Sequence, residues 1–184
     1  MEFKKVAVAL ALSAGLASSG LQAADNPTGP TANSSTGNFD IVLRNDVQVK
    51  LFGLDDVTFD TDSGTTGDLS GSTPSCVDSN VERYEVSLVS SNDFKLIAGS
   101  GPASGDIPYL LTYSQNLATD QIWGDSNLSS GDAAGDFARD GTIGGDTCSV
   151  ALDSKITVDI LESDYTGKDV GVYSDTVTVV VSAI

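Results

Sequence analysis

The last stretch of the chain, residues 171–184, alternates between apolar and polar side chains. Apolar residues occupy the odd positions from Val177 to Ala183, and Ser or Thr occupies most of the even ones. β-branched residues dominate, and no Pro or Gly follows Gly171. This period of two predicts a half-buried β-strand. A regular apolar strand with an unpaired edge invites pairing with a further strand.

A second alternating stretch runs from residue 39 to residue 51. Its large apolar residues share one parity, which is broken at Asn45. They are Phe39, Ile41, Leu43, Val47, Val49 and Leu51. The pattern predicts two strand pieces joined by a polar break at Asn45 and Asp46, the second piece covering 47–59. Residues 25–38 contain no large apolar side chain, so they are expected to form a flexible leader.

The middle of the chain predicts several shorter strands. Alternating apolar residues favour strands at 84–89, 94–98 and 107–113, and one or two more at 150–160. Residues 90–93 are expected to form a hairpin-like turn between the first two of these strands.

Two Asp-, Ser-, Thr- and Gly-rich stretches, 60–80 and 124–147, are expected to be long connections. Seven or so short strands without a sustained helical period predict an all-β fold, an antiparallel β-sandwich. The pattern shows no repeat and no second folded domain.

The beginning of the chain has the features of a secretory signal. Lys4 and Lys5 precede an uncharged, apolar run at 6–21, and two alanines follow it. This predicts a cleaved signal peptide rather than a membrane anchor, because the run is short and broken by Ser and Gly. The expected organisation is a signal peptide at 1–24, a leader and first strand piece at 25–46, and a β-sandwich domain at 47–184.

The charge balance narrows the choice of partners. The sequence has 26 acidic and 9 basic residues and a formal net charge of −17. Nucleic acids and anionic membranes require basic surface, so neither nucleic-acid binding nor membrane insertion is expected. The sequence contains no histidine, which removes Ser-His-acid catalysis, Cys-His catalysis and histidine-ligated metal sites.

Cys76 and Cys148 are the only cysteines in the sequence. In an exported chain, an even pair predicts one disulfide. The bond would close a loop of 72 residues and stabilise the fold by roughly 4 kcal/mol in the loop-entropy model. A metal site is a poor alternative without a histidine or a third cysteine.

Neither of two acidic loops, at 60–64 and 125–129, has the spacing of Gly and Glu that a calcium-binding loop requires. We therefore expect no metal and no cofactor. Trp123, the only tryptophan, is expected to be partly buried; a surface contact with a sugar or another subunit is the alternative.

Both ends of the chain resemble a known family. The sequence GVYSDTVTV at 171–179 resembles the closing strand of spore coat protein U-like domains and archaic chaperone–usher pilins. The family ends in the pattern Gly-x-Tyr-x-Asp-x-Val-x-Val, and residues 156–164 followed by a spacer match its layout. TGNFDIVL at 36–43 resembles the amino-terminal donor segment of these pilins. Residues 84–101 are similar, more loosely, to the second and third strands of the family.

The resemblance implies an immunoglobulin-like sandwich that is incomplete and is completed by a donor strand from a neighbouring subunit. Phe39, Ile41 and Leu43 would be the donor side chains, within the leader and candidate donor strand at 25–46. The acceptor edge would contain Tyr173, Val177, Val179 and Val181. The implied partners are identical or related pilin subunits, a periplasmic chaperone and an outer-membrane usher. The implied location is the cell surface, reached through the periplasm.

The function that the resemblance implies is structural: a subunit of a surface fimbria that serves adhesion or biofilm formation, and not an enzyme. One alternative is a self-complete secreted β-sandwich that binds a carbohydrate or a protein, with residues 39–43 paired within their own domain. Another is a secreted hydrolase, which would need a pair of carboxylates that nothing in the sequence singles out.

The cysteine positions depart from the family. Related archaic pilins commonly join the first strand to the second by a disulfide. Here neither predicted strand 47–59 nor predicted strand 84–89 contains a cysteine, so the bond is expected to tie different elements together.

Overall fold

Residues 39–62, 64–99, 105–115, 118–150 and 154–184 are described by a computed structural model of the chain. The chain divides into two units, 1–45 and 46–184, and the described strands all belong to the second. They are β1 (Val49–Phe52), β2 (Leu69–Ser79), β3 (Arg83–Ser90), β4 (Lys95–Ala98), β5 (Asp106–Pro108), β6 (Leu110–Gln115), β7 (Gln121–Trp123), β8 (Ala133–Ala138), β9 (Ser154–Ile160), β10 (Tyr173–Ser174) and β11 (Val177–Ala183). One short helix, α1 (Glu162–Tyr165), lies between β9 and β10.

The strands form antiparallel sheets. Five strands make one sheet in the order β1-β2-β9-β6-β7, and two three-stranded sheets have the orders β11-β3-β8 and β10-β4-β5. Each described strand pair is antiparallel. The predicted all-β, antiparallel class is therefore confirmed.

The sheets share one hydrophobic core. The hydroxyl oxygens of Tyr84 in β3 and Tyr113 in β6 lie 2.8 Å apart, and the ring of Phe137 in β8 packs against both rings. Trp123 is 0 % exposed and donates its Nε1–H to the Asp132 carbonyl at 3.0 Å, so its expected burial is confirmed. The side chains that fill this core come from strands of all three sheets.

The predicted hairpin at 90–93 is wrong. β3 pairs with β11 and β4 pairs with β10, so β3 and β4 follow the same terminal stretch of chain. Ser90 is opposite Val177 and Ile97 is opposite Ser174. Residues 91–96 therefore bulge out opposite only residues 175 and 176. The bulge contains two non-glycine residues with positive φ, Asp93 and Phe94.

The predicted strand at 107–113 is divided between two sheets. β5 pairs with β4, whereas β6 pairs with β9 and β7, so the chain changes sheets at Tyr109. The predicted strand at 47–59 is also shorter than expected. β1 ends at Phe52, Gly53 follows with a φ of 88°, and residues 53–60 join no strand ladder.

Two strands lie where composition predicted loops. β2 occupies part of 60–80, and β8 lies inside 124–147. β2 is poor in β-branched residues, but it is held between β1 and β9. Pro74 fits within it because β1 reaches only as far as Cys76, which leaves the Pro74 position paired on the β9 side alone.

β8 contains a glycine-dependent bulge. The register between β3 and β8 shifts between Tyr84 and Val86, and Gly135 in β8 has a φ of 87°. A Cβ atom at Gly135 would lie 2.1 Å from the Phe137 ring. Glycine therefore allows the backbone to bend and Phe137 to enter the core.

Cys76 in β2 and Cys148, in the segment before β9, form the expected disulfide. Cys76 thus lies in the second strand of the chain, and its assignment to a connection was wrong. The partner is still not in the first strand, so the bond still differs from the one that archaic pilins commonly have. Beside the bond, the Asp78 carboxylate accepts hydrogen bonds from the Ser149 hydroxyl at 3.0 Å and from the Ser149 N–H at 3.2 Å.

Removal of this disulfide should lower the free energy of unfolding by about 2–5 kcal/mol, because the bond limits the freedom of a long loop in the unfolded chain. Urea unfolding of the Cys76→Ala/Cys148→Ala variant, followed by the fluorescence of buried Trp123, measures the loss. Ser149→Ala is the control: it deletes a neighbouring hydrogen bond and should cost only about 1 kcal/mol. Equal losses in the two variants would contradict a dominant role for the bond.

Candidate functional site: an open groove beside the last strand

The side chains of β11 alternate between the core and the surface. Val177, Val179 and Val181 are half-buried and pack against the core, whereas Thr178, Val180 and Ser182 are exposed. The predicted period of two, with odd residues pointing inward, is therefore confirmed.

The backbone of β11 is paired on one side only. In the described part of the chain, β3 is its only strand partner. Ser91 donates its N–H to the Thr176 carbonyl at 3.0 Å, and Ile184 donates its N–H to the Arg83 carbonyl at 3.2 Å. The even-numbered residues therefore face β3, and the odd-numbered N–H and C=O groups point away from it. These outward groups belong to Val177, Val179, Val181 and Ala183, and none is hydrogen-bonded to the described residues.

β1 has a similar free side. Asn80 donates its N–H to the Gln48 carbonyl at 3.2 Å, so the even-numbered residues of β1 face β2. The backbone groups of Val49 and Leu51 point away from β2. β1 and β11 approach each other, yet no ladder joins them. The free edges of β1 and β11, which belong to different sheets, therefore lie near each other.

A groove of about 850 Å³ lies next to this edge. Apolar core residues line it from the five-stranded sheet and from the β4–β6 region, and β10 and β11 form one wall. The apolar lining includes Leu96, Ile107, Leu111, Ile156, Val158 and Ile160. A space with an apolar interior and an unpaired strand edge has the properties required to bind an extended peptide segment.

Residues 54–61, which we call the wall segment, form another part of the lining. Val57 and Phe59 pack over Gly71 of β2: a Cβ atom there would lie 2.7 Å from Val57 Cγ1 and 3.1 Å from the Phe59 ring. The Asp55 N–H donates to Thr73 Oγ1 at 2.6 Å. Two side chains and one backbone hydrogen bond therefore connect the wall segment to β2. The sequence pattern assigned Val57 and Phe59 to a strand rather than to a groove.

The predicted acceptor residues lie together at this site. Tyr173 of β10 and Val177 and Val179 of β11 line the groove, while Val181 lies further along the same strand. The Tyr173 hydroxyl donates to the Asp169 carbonyl at 2.9 Å.

The predicted donor residues belong to the first unit. Phe39, Ile41 and Leu43 are 74 %, 84 % and 89 % exposed, and residues 39–48 contain no strand. Three large apolar side chains so exposed on one short segment are typical of a surface that another chain covers.

The acidic residues are placed in turns and hydrogen-bond networks. The Asp62 carboxylate accepts hydrogen bonds from the Gly64 N–H and the Thr65 hydroxyl, which lower the pKa of Asp62. Cys76, Asp78 and Cys148 lie close together, but the disulfide consumes both thiols, so this set offers a metal only one ligand.

No family model, no curated protein and no solved structure matches the chain. Within the described ranges, we find no helix with the length and apolar character needed to cross a membrane.

Proposed function

We propose that this chain is a structural subunit of a surface pilus that polymerises by donor-strand exchange and serves adhesion or biofilm formation. In this proposal, residues 47–184 form an immunoglobulin-like sandwich that lacks one strand. The segment containing Phe39, Ile41 and Leu43 supplies that strand to the next copy.

One observation carries the proposal: the outward N–H and C=O groups of β11 border a groove lined with core residues. A strand added here gains backbone hydrogen bonds from β11, and its alternate side chains enter the groove. The odd-numbered residues of β11 combine inward side chains with outward backbone groups. An added strand therefore forms hydrogen bonds with β11 at the same positions at which its inward side chains are buried.

The donor segment fits this requirement in spacing and chemistry. In an extended strand, side chains two residues apart lie on one face, about 7 Å apart. Phe39, Ile41 and Leu43 would therefore enter the groove as a row, while Asp40 and Val42 face outward. Each buried side chain contributes about 1.5–3 kcal/mol and each added backbone hydrogen bond about 0.5–1.5 kcal/mol. Association costs about 4–15 kcal/mol, so burial of the three side chains, about 4.5–9 kcal/mol in total, covers only part of that range, and the backbone hydrogen bonds add to it.

The same groove explains the proposed assembly partners. Before a donor strand arrives, Leu96, Val158, Val177 and Val179 in the groove lining are only half-buried and the edge of β11 is unpaired. Such a surface promotes aggregation. A periplasmic chaperone would cover it during export, and an outer-membrane usher would exchange the chaperone for the next subunit at the cell surface.

Electrophoresis and size-exclusion chromatography of the full chain test the proposal. We expect a ladder of multiples of the subunit mass that resists SDS without heating and collapses to one band after heating. Cys76 and Cys148 are bonded to each other, so intermolecular disulfides are not expected to produce the ladder. Blocking any free thiols before electrophoresis verifies this point.

A stable monomer that forms no ladder at any concentration would contradict the proposal. That result would instead support the self-complete secreted β-sandwich, with binding of a carbohydrate or a protein as its function.

A further inference from the structure

The open edge is interrupted between β10 and β11. Asp175 and Thr176 join no ladder, and the bulge at 91–96 lies opposite them. Both β10 and β11 line the groove, and so do the two residues between them. A strand that fills the whole groove must therefore meet two separate edges, and their relative position matters.

Asp175 ties this interruption to three other parts of the fold. Its carboxylate accepts hydrogen bonds from the Ser90 hydroxyl at 2.6 Å, the Asn92 amide at 3.0 Å and the Tyr109 hydroxyl. It also accepts the Thr176 N–H at 2.7 Å. We call Ser90, Asn92, Tyr109 and Asp175 the edge knot.

Tyr109 connects the edge knot to the place where the chain changes sheets. It stands where the chain leaves β5 for β6 and so changes sheets. Its ring packs edge-on against Phe94 in the bulge, and its backbone N–H donates to the Phe94 carbonyl at 3.0 Å. Burial, followed by the hydrogen bond to Asp175, raises the pKa of Tyr109. The hydroxyl therefore remains a proton donor to Asp175 at neutral pH.

We propose that Asp175, held by Tyr109, is a positioning residue for strand capture: it aligns β10 with β11 so that one incoming strand can pair with both. This inference rests on the proposed function and assigns Asp175 and Tyr109 a role that the alternating pattern does not predict. Without the knot, β10 keeps its ladder to β4 and the hydrogen bond from the Tyr173 hydroxyl to the Asp169 carbonyl. It loses the side-chain contacts that tie Asp175, the next residue after β10, to Ser90, Asn92 and Tyr109. A captured strand would then still pair with β11 but would no longer pair with β10.

A second buried tyrosine provides a matched control. Tyr113 is 0 % exposed, and its hydroxyl lies 2.8 Å from the Tyr84 hydroxyl in the shared core. It does not line the groove, whereas Tyr109 does. Tyr109→Phe and Tyr113→Phe each remove one buried hydroxyl and keep the ring, so a merely structural role predicts the same consequences for both.

The experiment measures capture of a fluorescent synthetic peptide with the sequence of residues 36–46. The full chain carries Ile41→Asp, so that its own segment does not compete. We expect both tyrosine variants to melt at lower temperature than this reference. Dissociation of the peptide should be roughly tenfold faster for Tyr109→Phe alone, equivalent to about 1.4 kcal/mol. Asp175→Ala should release the peptide at least as fast as Tyr109→Phe, because it breaks the same contact and also those to Ser90 and Asn92.

Equal dissociation rates for Tyr109→Phe and Tyr113→Phe would overturn the inference and leave the proposed function intact. If the reference protein captures no peptide, the proposed function fails, and amide hydrogen exchange at Ser174 then decides the positioning role. Faster exchange in Tyr109→Phe than in Tyr113→Phe supports alignment of β10 by the knot, and equal exchange overturns it.

Discussion

Ile41→Asp is expected to abolish polymerisation of the full chain, whereas Val42→Asp is expected to leave it intact. In an extended strand, neighbouring side chains point to opposite faces. If Ile41 enters the groove of the next copy, Asp at this position meets an apolar lining that includes Leu111 and Ile156. An unpaired carboxylate is strongly disfavoured there, while Asp at position 42 stays in water. The loss of burial alone corresponds to roughly a 10- to 150-fold weaker joint.

The two variants are matched because each replaces a β-branched residue by Asp and adds one negative charge. Ladder formation in unheated electrophoresis and sedimentation of polymers measure the outcome, and thermal melting verifies that both proteins remain folded. Loss of polymer in both variants would point to charge repulsion between acidic subunits. Normal polymer in both would show that residues 39–43 are not the donor.

The parity of the last strand could be predicted from sequence because one geometric rule fixes two properties. Side chains alternate between faces, and in an antiparallel strand the backbone groups alternate between neighbours with the same period. The side chains of Val177, Val179 and Val181 point inward. One hydrogen bond between this strand and β3 is then enough to deduce that the N–H and C=O groups of these residues point to the open side.

β2 and β8 could not be predicted in the same way. β2 has the composition of a loop, and its strand conformation comes from pairing with β1 and β9. β8 depends on a bulge at Gly135. A bulge interrupts the alternation of side chains, so a search for alternating residues does not detect this strand. In both strands, tertiary pairing outweighs local propensity.

The groove could not be predicted from the pattern of apolar and polar residues along the sequence. Val57 and Phe59 have the parity of a strand, but the structure places them in an unpaired wall over Gly71. Asp175 appears in the sequence as one of many acidic residues and as a member of the family-like tail. Its three side-chain partners come from distant positions, and only the bulge at 91–96 and the sheet change at Tyr109 bring them together.

Proline at position 179 is expected to block strand capture without unfolding the subunit, whereas proline at position 180 should disrupt the fold. The Val179 N–H points away from β3, so its loss breaks no hydrogen bond within the described subunit. Val180 is opposite Ser87 and faces β3, so proline there removes a ladder hydrogen bond. Melting temperature separates the two effects, and peptide capture by Val179→Pro should fall at least tenfold, or about 1.4 kcal/mol. Peptide capture is measured in the Ile41→Asp chain, so that its own segment does not compete. Capture by the Val179→Pro variant of that chain at the rate of the Ile41→Asp reference would show that the edge of β11 is not the acceptor.

A mixture of two variants, one unable to donate a strand and the other unable to accept one, tests most directly whether the donor segment of one copy pairs with β11 of the next. Ile41→Asp can accept a strand but not donate one, and Val179→Pro can donate but not accept. We expect each variant alone to remain monomeric and their equimolar mixture to stop at dimers that contain one copy of each, which native mass spectrometry can identify. A head-to-tail joint predicts this arrest, because an intact subunit carries both halves and extends without closing. Long polymers in the mixture would mean that the two substitutions do not disable opposite halves of one joint. Dimers of a single variant would point to a symmetric interface, in which both copies use the same patch.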